Sequence, residues 1–354
     1  MIPEKMKAVV LTGVGQAGVY EYPVPAFGEN EVLVEMRSSS ICTIDQRPYA
    51  GTTKGIFPRV GGHEGAGVVA AVGSKVKEFK PGDKVAIGRI HCGVCPNCLR
   101  GIGHCIHGPN FSKPDVPPDI EHPMNLMGCF SQYVVRTPQS LHKVAENVPF
   151  EHAAVVEPLS DVVHSIKKSR LTAGETCVIL GAGIMGILTA QVAKSYGARV
   201  ILSEPDAARR ENAKKAGADI IVDPAACELR DVVMEATDNI GAEVVFYIMP
   251  STKLFDEYYE LLAPAGRIMM YANQVPDEPY PIKLGRLHTL EREIIGTVSS
   301  TDADFYYALQ LMKFGRVDMS LGIHKTYAIS DCKAAFDDAI RPDTYRCVIN
   351  MQEE

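Results

Sequence analysis

The sequence predicts an α/β protein of two domains, one mainly β and one a doubly wound parallel sheet, and three observations predict it. At 354 residues the chain exceeds what one hydrophobic core ordinarily organises. Near residue 155 its texture changes, from short apolar runs broken by glycine and proline to strand-like runs alternating with helical ones. The glycine-rich run Gly181-Ala182-Gly183-Ile184-Met185-Gly186 then stands between an apolar strand and a helix, the junction at which a parallel βα unit turns.

Taken in order, residues 8–11, 31–36, 67–72 and 84–87 are apolar runs bounded by turn formers, which predicts strands. Lys80-Pro81-Gly82-Asp83 predicts a reversal between them, since proline fixes φ and glycine accepts positive φ. Four cysteines follow within fourteen residues, as Cys92-x2-Cys95-x2-Cys98-x6-Cys105, and thiols this close converge on one soft cation in a zinc lobe of about residues 91–106. Beyond residue 155 strands are predicted over 177–180, 199–202, 243–248 and 267–271, with helices over 186–196 and 206–216. Such alternation implies a parallel sheet covered on both faces. The domains are expected at 1–154 and 155–290, with 291–354 returning to the first and ending in a strand over 346–351. No internal repeat or low-complexity segment interrupts them.

Composition excludes several classes. A formal charge of −7, without any lysine-arginine block, argues against nucleic acid as a partner. The uncharged stretch 176–193 reaches the length of a membrane helix, but its three glycines and its split into strand and helix read as a βα unit, with no membrane partner. The N-terminus runs directly into a strand without a basic-then-apolar leader, so a cytoplasmic location is expected. In that reducing compartment the ten cysteines should be thiols or thiolates; Cys129, Cys177, Cys227, Cys332 and Cys347 lack metal-like spacing and read as small core residues.

In the glycine motif, Gly181 makes the tight turn, Gly183 lets the backbone approach a pyrophosphate, and Gly186 lets helix and strand pack closely. With Ile184 and Met185 these residues open a helix whose free N–H groups favour phosphate. Glu204, eighteen residues after Gly186, would accept hydrogen bonds from both adenosine ribose hydroxyls and repel a 2′-phosphate, so NAD is the expected cofactor. Arg209 and Arg210 follow where they would soften that preference. A second ligand set, Cys42, the His63-Glu64 pair and Glu157, is too widely spaced for a local finger. It reads as an open, working metal site, so the combination suggests metal-assisted hydride transfer.

With these motifs in order the chain resembles the zinc-dependent medium-chain dehydrogenase/reductase family, and within it the polyol (sorbitol-type) and threonine dehydrogenases. The resemblance rests on Ile41-Cys42 with Asp45, Gly62-His63-Glu64-Gly65-Ala66-Gly67, Pro81-Gly82-Asp83-Lys84-Val85, the four-cysteine lobe, Val156-Glu157-Pro158-Leu159-Ser160 with His164, and the glycine motif. It implies a GroES-like catalytic domain with a Rossmann-type NAD domain, and a homodimer or homotetramer with residues around Val298 at an interface. It also implies two zinc ions per chain. The catalytic one would be held by Cys42 and His63, with Glu64 and Glu157 competing for the remaining protein position and Asp45 accepting the second ring N–H of His63. The structural one would be held by Cys92, Cys95, Cys98 and Cys105. The reaction implied is oxidation of a secondary alcohol of a polyol or sugar alcohol, or its reverse. An amino alcohol such as threonine, a phosphorylated sugar alcohol or a cyclitol are the alternatives, and a non-catalytic protein retaining the fold is the alternative of another class.

Two positions depart from the family pattern. The last lobe spacing is one residue short, with His104 beside it, and Ile44 stands where a hydroxyl usually relays the substrate proton. Thr43 is expected to point elsewhere, leaving water held by Glu64 or Glu157 as the exit. Arg47 and Arg59 read as solvated or ion-paired surface arginines, with a substrate phosphate or carboxylate as their second reading. Arg346 has the cofactor pyrophosphate as a minor reading. His164 reads as a packed core histidine, and His91, His107 and His122 as ordinary loop residues. Ile44, Tyr49, Phe57 and Phe111 are the guessed pocket positions.

Overall fold

The computed structural model describes residues 1–103, 105–107, 118–125, 128–249, 254–272 and 279–353; His104 and Phe111 lie outside them. The chain forms two compact units. One comprises Met1–Pro158, Thr301–Lys313 and Ile323–Glu354, and the other Leu159–Ser300 and Phe314–Gly322.

The first unit is built on a seven-stranded sheet. Its order runs Ile323–Ala328, Arg346–Asn350, Val32–Ser40, Glu64–Val72, Lys84–Ile87 and Leu141–Lys143, with Tyr133–Arg136 also pairing Val32–Ser40. A smaller sheet joins Gln16–Pro23, Lys5–Gly13, Arg59–Val60 and Met124–Asn125. Alternating apolar residues of these strands, among them Val9, Leu11, Val34, Met36, Val69 and Ile349, enter one core with Phe130 and Phe336. Period-two alternation is what sends them to the same face.

Register in this sheet decides where the chemistry goes. Ser40, at the end of its strand, pairs with Glu64 on one side and Val348 on the other, and the Ile41 N–H donates to the Cys347 carbonyl at 3.0 Å. Cys42, Glu64 and Arg346, far apart in sequence, therefore share one end of three adjacent strands.

In the second unit six parallel strands lie in the order Ile220–Val222, Arg199–Ser203, Thr176–Leu180, Ala242–Tyr247, Leu262–Met270 and Glu293–Gly296. Numbered along the chain this is 3-2-1-4-5-6, the doubly wound order whose ligand crevice lies where the winding reverses. Thr176–Leu180 is the first strand, so the glycine motif sits at that reversal. The uncharged stretch 176–193 divides as expected, into this strand and the helix Ile184–Ser195. Among the described residues no helix is long and apolar enough to cross a membrane.

Cys129, Cys177, Cys332 and Cys347 are buried, but Cys227 is exposed, contrary to its reading as a core residue. It lies in the turn after Ile220–Val222, its Sγ facing the Asp223 carbonyl, where no apolar layer covers it.

Candidate active site and metal centres

Cys42 precedes the helix Thr43–Tyr49 in extended conformation, with a thiol that caps nothing and is 8% exposed. His63 and Glu64 arrive from the other side of the strand end. Gly62 has φ +85°, a left-handed turn that a side chain would strain, and Glu64 begins the neighbouring strand. The Sγ of Cys42, a ring nitrogen of His63 and a carboxylate oxygen of Glu64 all lie within 4.8 Å of one another. Glu157, in the helix Val156–Ser169, is outside this cluster. Its carboxyl is nonetheless pushed up by burial, pulled down by His63, raised by Glu64 and lowered by Arg346, which places it in the same electrostatic neighbourhood. Burial works against protonation of His63, but the Cys42 thiol, Glu157 and Glu64 outweigh it and raise the imidazole well above its usual value.

Arg346 corrects one reading. Its Nη2 donates to Glu64 Oε1 at 2.7 Å and to Cys42 Sγ at 3.4 Å, and its Nε donates to Glu64 Oε2 at 3.1 Å. A guanidinium committed to a bidentate pair with a fully buried carboxylate is not offered to a pyrophosphate. No local signal announced this pair, because the two residues are 282 positions apart. Arg59 is likewise not a surface group. It is 7% exposed, and its Nη2 lies 3.9 Å from Asp45 Oδ1.

Asp45 is 1% exposed. Its Oδ1 accepts from the Gly62 N–H at 3.3 Å, while Oδ2 has no hydrogen-bond partner, so the expected bond from His63 is not made here. Burial pushes this carboxyl up, with His63 and Arg59 pulling it back. Among the guessed pocket positions, Ile44 is 60% exposed. Tyr49 is instead fully buried, its hydroxyl donating to Asp337, and Phe57 packs on the core. Thr43 does not point away: its Oγ1 stands 3.8 Å from Cys42 Sγ. His164 is half-buried rather than a core residue. His91 is covered rather than an open loop residue, with Nε2 3.2 Å from Asp302.

The chemistry of both donor sets fits zinc. A thiolate, an imidazole and a carboxylate give three protein ligands and leave a position for substrate, whereas four thiolates close the shell. In the lobe, Sγ separations are 3.4 Å between Cys95 and Cys98, 3.9 Å between Cys92 and Cys98, and 4.0 Å between Cys95 and Cys105. A tetrahedron with zinc–sulfur bonds of about 2.3 Å has edges of about 3.8 Å. Backbone N–H groups of Cys92, Cys95 and Cys98 point at the sulfurs of Cys105, Cys92 and Cys95, donors that stabilise thiolate. The Cys98 N–H is the largest cause holding Cys95 down at about 6, whereas desolvation and the neighbouring thiols push Cys98 up to about 12. Four thiols cannot all ionise together unless a cation shares their charge.

At the glycine motif, Gly181 has φ +99°. A Cβ on Gly183 would meet nothing within 4 Å, whereas one on Gly186 would lie 1.9 Å from the Gly181 carbonyl oxygen. Open space stands beside Gly183, and close contact where helix meets strand at Gly186. Gly186→Ala should therefore lower the stability of this unit by about 1–3 kcal/mol in urea unfolding, as overpacking does, and weaken NAD binding in a calorimetric titration. Unchanged values would mean that the helix shifts freely. Glu204 is 4% exposed; it accepts from the Ala182 N–H at 2.6 Å and the Asp206 N–H at 2.9 Å, tying the glycine loop to the next strand. Arg209 is half-buried, its N–H capped by Asp206. Arg210 is held by Asp223 at 2.8 Å.

Comparison with known proteins shows the family. The alcohol dehydrogenase GroES-like domain family matches residues 28–146, and the zinc-binding dehydrogenase family matches residues 185–313. A 2-dehydro-3-deoxy-L-galactonate 5-dehydrogenase from Pseudoalteromonas atlantica is 34% identical over 309 residues, covering 86% of this chain and 87% of its own. A sorbitol dehydrogenase from Halalkalibacterium halodurans is 29% identical, covering 94% and 95%. The crystal structure of an alcohol dehydrogenase zinc-binding domain protein from Burkholderia ambifaria shares the fold, with a TM-score of 0.89 at 21% identity over 99% of each chain. The chain belongs to the zinc-binding medium-chain alcohol dehydrogenases, enzymes that oxidise alcohols with zinc and a nicotinamide dinucleotide as cofactors.

Proposed function

We propose that the protein oxidises a secondary alcohol on a polyhydroxylated carbon chain to a ketone, with NAD as hydride acceptor. The observation that carries this reading is the convergence of Cys42, His63 and Glu64 within 4.8 Å in a chain that also presents the glycine motif with Glu204. Both relatives described above are named for polyhydroxylated compounds, which favours a polyol over a simple alcohol.

Cys42, His63 and either Glu64 or Glu157 hold the catalytic zinc, and Cys92, Cys95, Cys98 and Cys105 hold a structural one. Bound zinc supplies Lewis-acid charge that lowers the pKa of the substrate hydroxyl toward neutrality, and bound NAD supplies the hydride acceptor. Arg346 neutralises Glu64 and fixes its position, and a carboxylate held this way keeps lone pairs for a further partner. Ile44 carries no proton, so the substrate proton leaves through the hydroxyl of Thr43, beside the Cys42 thiol, which takes it up as it gives its own proton to the solvent it is exposed to. Gly181 and Gly183 admit the pyrophosphate, and Glu204 accepts the ribose hydroxyls.

Initial rates with NAD and NADP on a panel of alditols, threonine, a cyclitol and simple alcohols test the proposal. NAD-linked oxidation of an alditol is expected, and Glu204→Gln should lower kcat/KM for NAD by about tenfold, the order of one charge-assisted hydrogen bond. Absence of turnover on every alcohol with either nucleotide would sink the reading.

A further inference from the structure

We propose that Arg47 reads the charge of the substrate, its guanidinium binding a carboxylate or phosphate carried on the alcohol that reacts at the Cys42–His63 centre. The inference rests on the dehydrogenase reading above and adds a substrate class to it.

The helix Thr43–Tyr49 starts at Cys42 and buries Asp45, Pro48 and Tyr49. Its other side carries Thr43 and Ile44, both exposed, and half-buried Arg47. Thr43 anchors that side to the site, since its Oγ1 lies 3.8 Å from Cys42 Sγ. Arg47 follows Thr43 by four positions and Ile44 by three, the spacings that make side chains neighbours on a helix, with Cβ atoms about 5–6 Å apart. The Cβ of Arg47 thus stands about one turn beyond Thr43, whose hydroxyl flanks the thiol. A carboxylate or phosphate a few carbon–carbon bonds from the reacting carbon lies roughly 5–7 Å from it, given bonds of about 1.5 Å.

The charge there is uncommitted. Among the described residues the Arg47 side chain makes no ion pair or hydrogen bond; its carbonyl oxygen accepts from the Thr52 hydroxyl and N–H. The neighbouring arginines are engaged, Arg59 by Asp45 and Arg346 by Glu64. A planar guanidinium matches a carboxylate or phosphate with two parallel hydrogen bonds.

The test measures kcat/KM with NAD for matched pairs, galactonate against galactitol and glucitol 6-phosphate against glucitol, in wild type, Arg47→Gln and Arg47→Lys. The wild type should prefer the charged member of at least one pair, and which pair distinguishes carboxylate from phosphate. Arg47→Gln should reduce that charged-to-neutral ratio by roughly 10–100-fold, the scale of a charge-assisted hydrogen-bonded contact, mainly through KM, with partial recovery in Arg47→Lys. A wild type that favours the neutral members, or a ratio unchanged in Arg47→Gln, overturns the inference, because a merely structural role lowers both members together. If the wild type oxidises no alcohol at all, the dehydrogenase reading is what fails. Calorimetric binding of galactonate and glucitol 6-phosphate then decides the role of Arg47 by itself, since binding lost in Arg47→Gln supports it and binding absent or unchanged refutes it.

Discussion

Replacement of Cys42 by alanine should lower kcat at least about 10³-fold and reduce zinc from about two to about one ion per chain, because three ligands and an open position define a working zinc and its Lewis-acid charge is worth several kcal/mol, each 1.36 kcal/mol being about tenfold in rate. The thiol caps no helix, and Arg346, which donates to it at 3.4 Å, keeps both of its bonds to Glu64, so the first unit should stay folded. The lobe cysteines are a separate cluster, and their ion should remain. Metal analysis by mass spectrometry beside initial-rate kinetics checks both halves. A variant retaining both ions and full turnover would move the reacting centre away from Cys42, His63 and Glu64.

Arg346→Met should destabilise the first unit by about 3–5 kcal/mol in zinc-free protein, the cost of stranding one member of a buried ion pair. Glu64 is 0% exposed and Arg346 is 6% exposed, so water cannot replace the guanidinium. Burial lowers the affinity of Arg346 for its proton, but Glu64, Cys42 and Glu157 outweigh that effect and hold it charged. Glu64→Gln in the same chain should recover more than half of the loss, since an amide carries no charge to strand. Urea unfolding followed separately for each unit is the measurement, because a chain of two units need not unfold in one step. A loss under about 1 kcal/mol in the single variant would show that the Glu64 charge is neutralised by another group.

The two metal-ligand sets illustrate how differently a sequence exposes its chemistry. The lobe was legible because its ligands are local: thiols three and seven positions apart can meet only around a common centre, and their sulfurs do stand 3.4–4.0 Å apart. The glycine motif was legible for the same reason, since turn, helix start and strand end are consecutive. The strands predicted over 177–180, 199–202 and 243–248 end within a residue or so of those observed, because fully buried parallel strands read as continuous apolar stretches; the one over 267–271 begins earlier, at Leu262, and Ile220–Val222 and Glu293–Gly296 were not foreseen. Cys42, the His63-Glu64 pair and Glu157 were singled out by residue type as a second ligand set, and the resemblance supplied the role of each.

Other expectations failed where the deciding partner was distant. Arg59 and Arg346 carry the same polar side chain as any surface arginine, and only the folded chain shows that Asp45, in the helix Thr43–Tyr49, meets the one and Glu64, on a strand of the same sheet, the other. The bond from His63 to Asp45 was expected from the family and is absent here; Gly62 N–H takes Oδ1 instead. Cys227 was assigned to the core by residue type, and a turn at a strand end left it in solvent.

By itself the sequence determined the fold class, the thiol lobe, the nucleotide loop and its acidic Glu204, all set by periodicity and spacing within a few tens of residues. Tertiary structure alone decided that Glu64 is bound to Arg346 while Glu157 stands outside the ligand cluster, that Thr43 flanks the thiol, and that the Arg47 side chain makes no ion pair among the described residues. The meeting of Glu64 and Arg346 depends on strand pairing between segments tens to hundreds of residues apart, and hydrophobic burial sets that pairing without leaving any mark beside the residues it brings together.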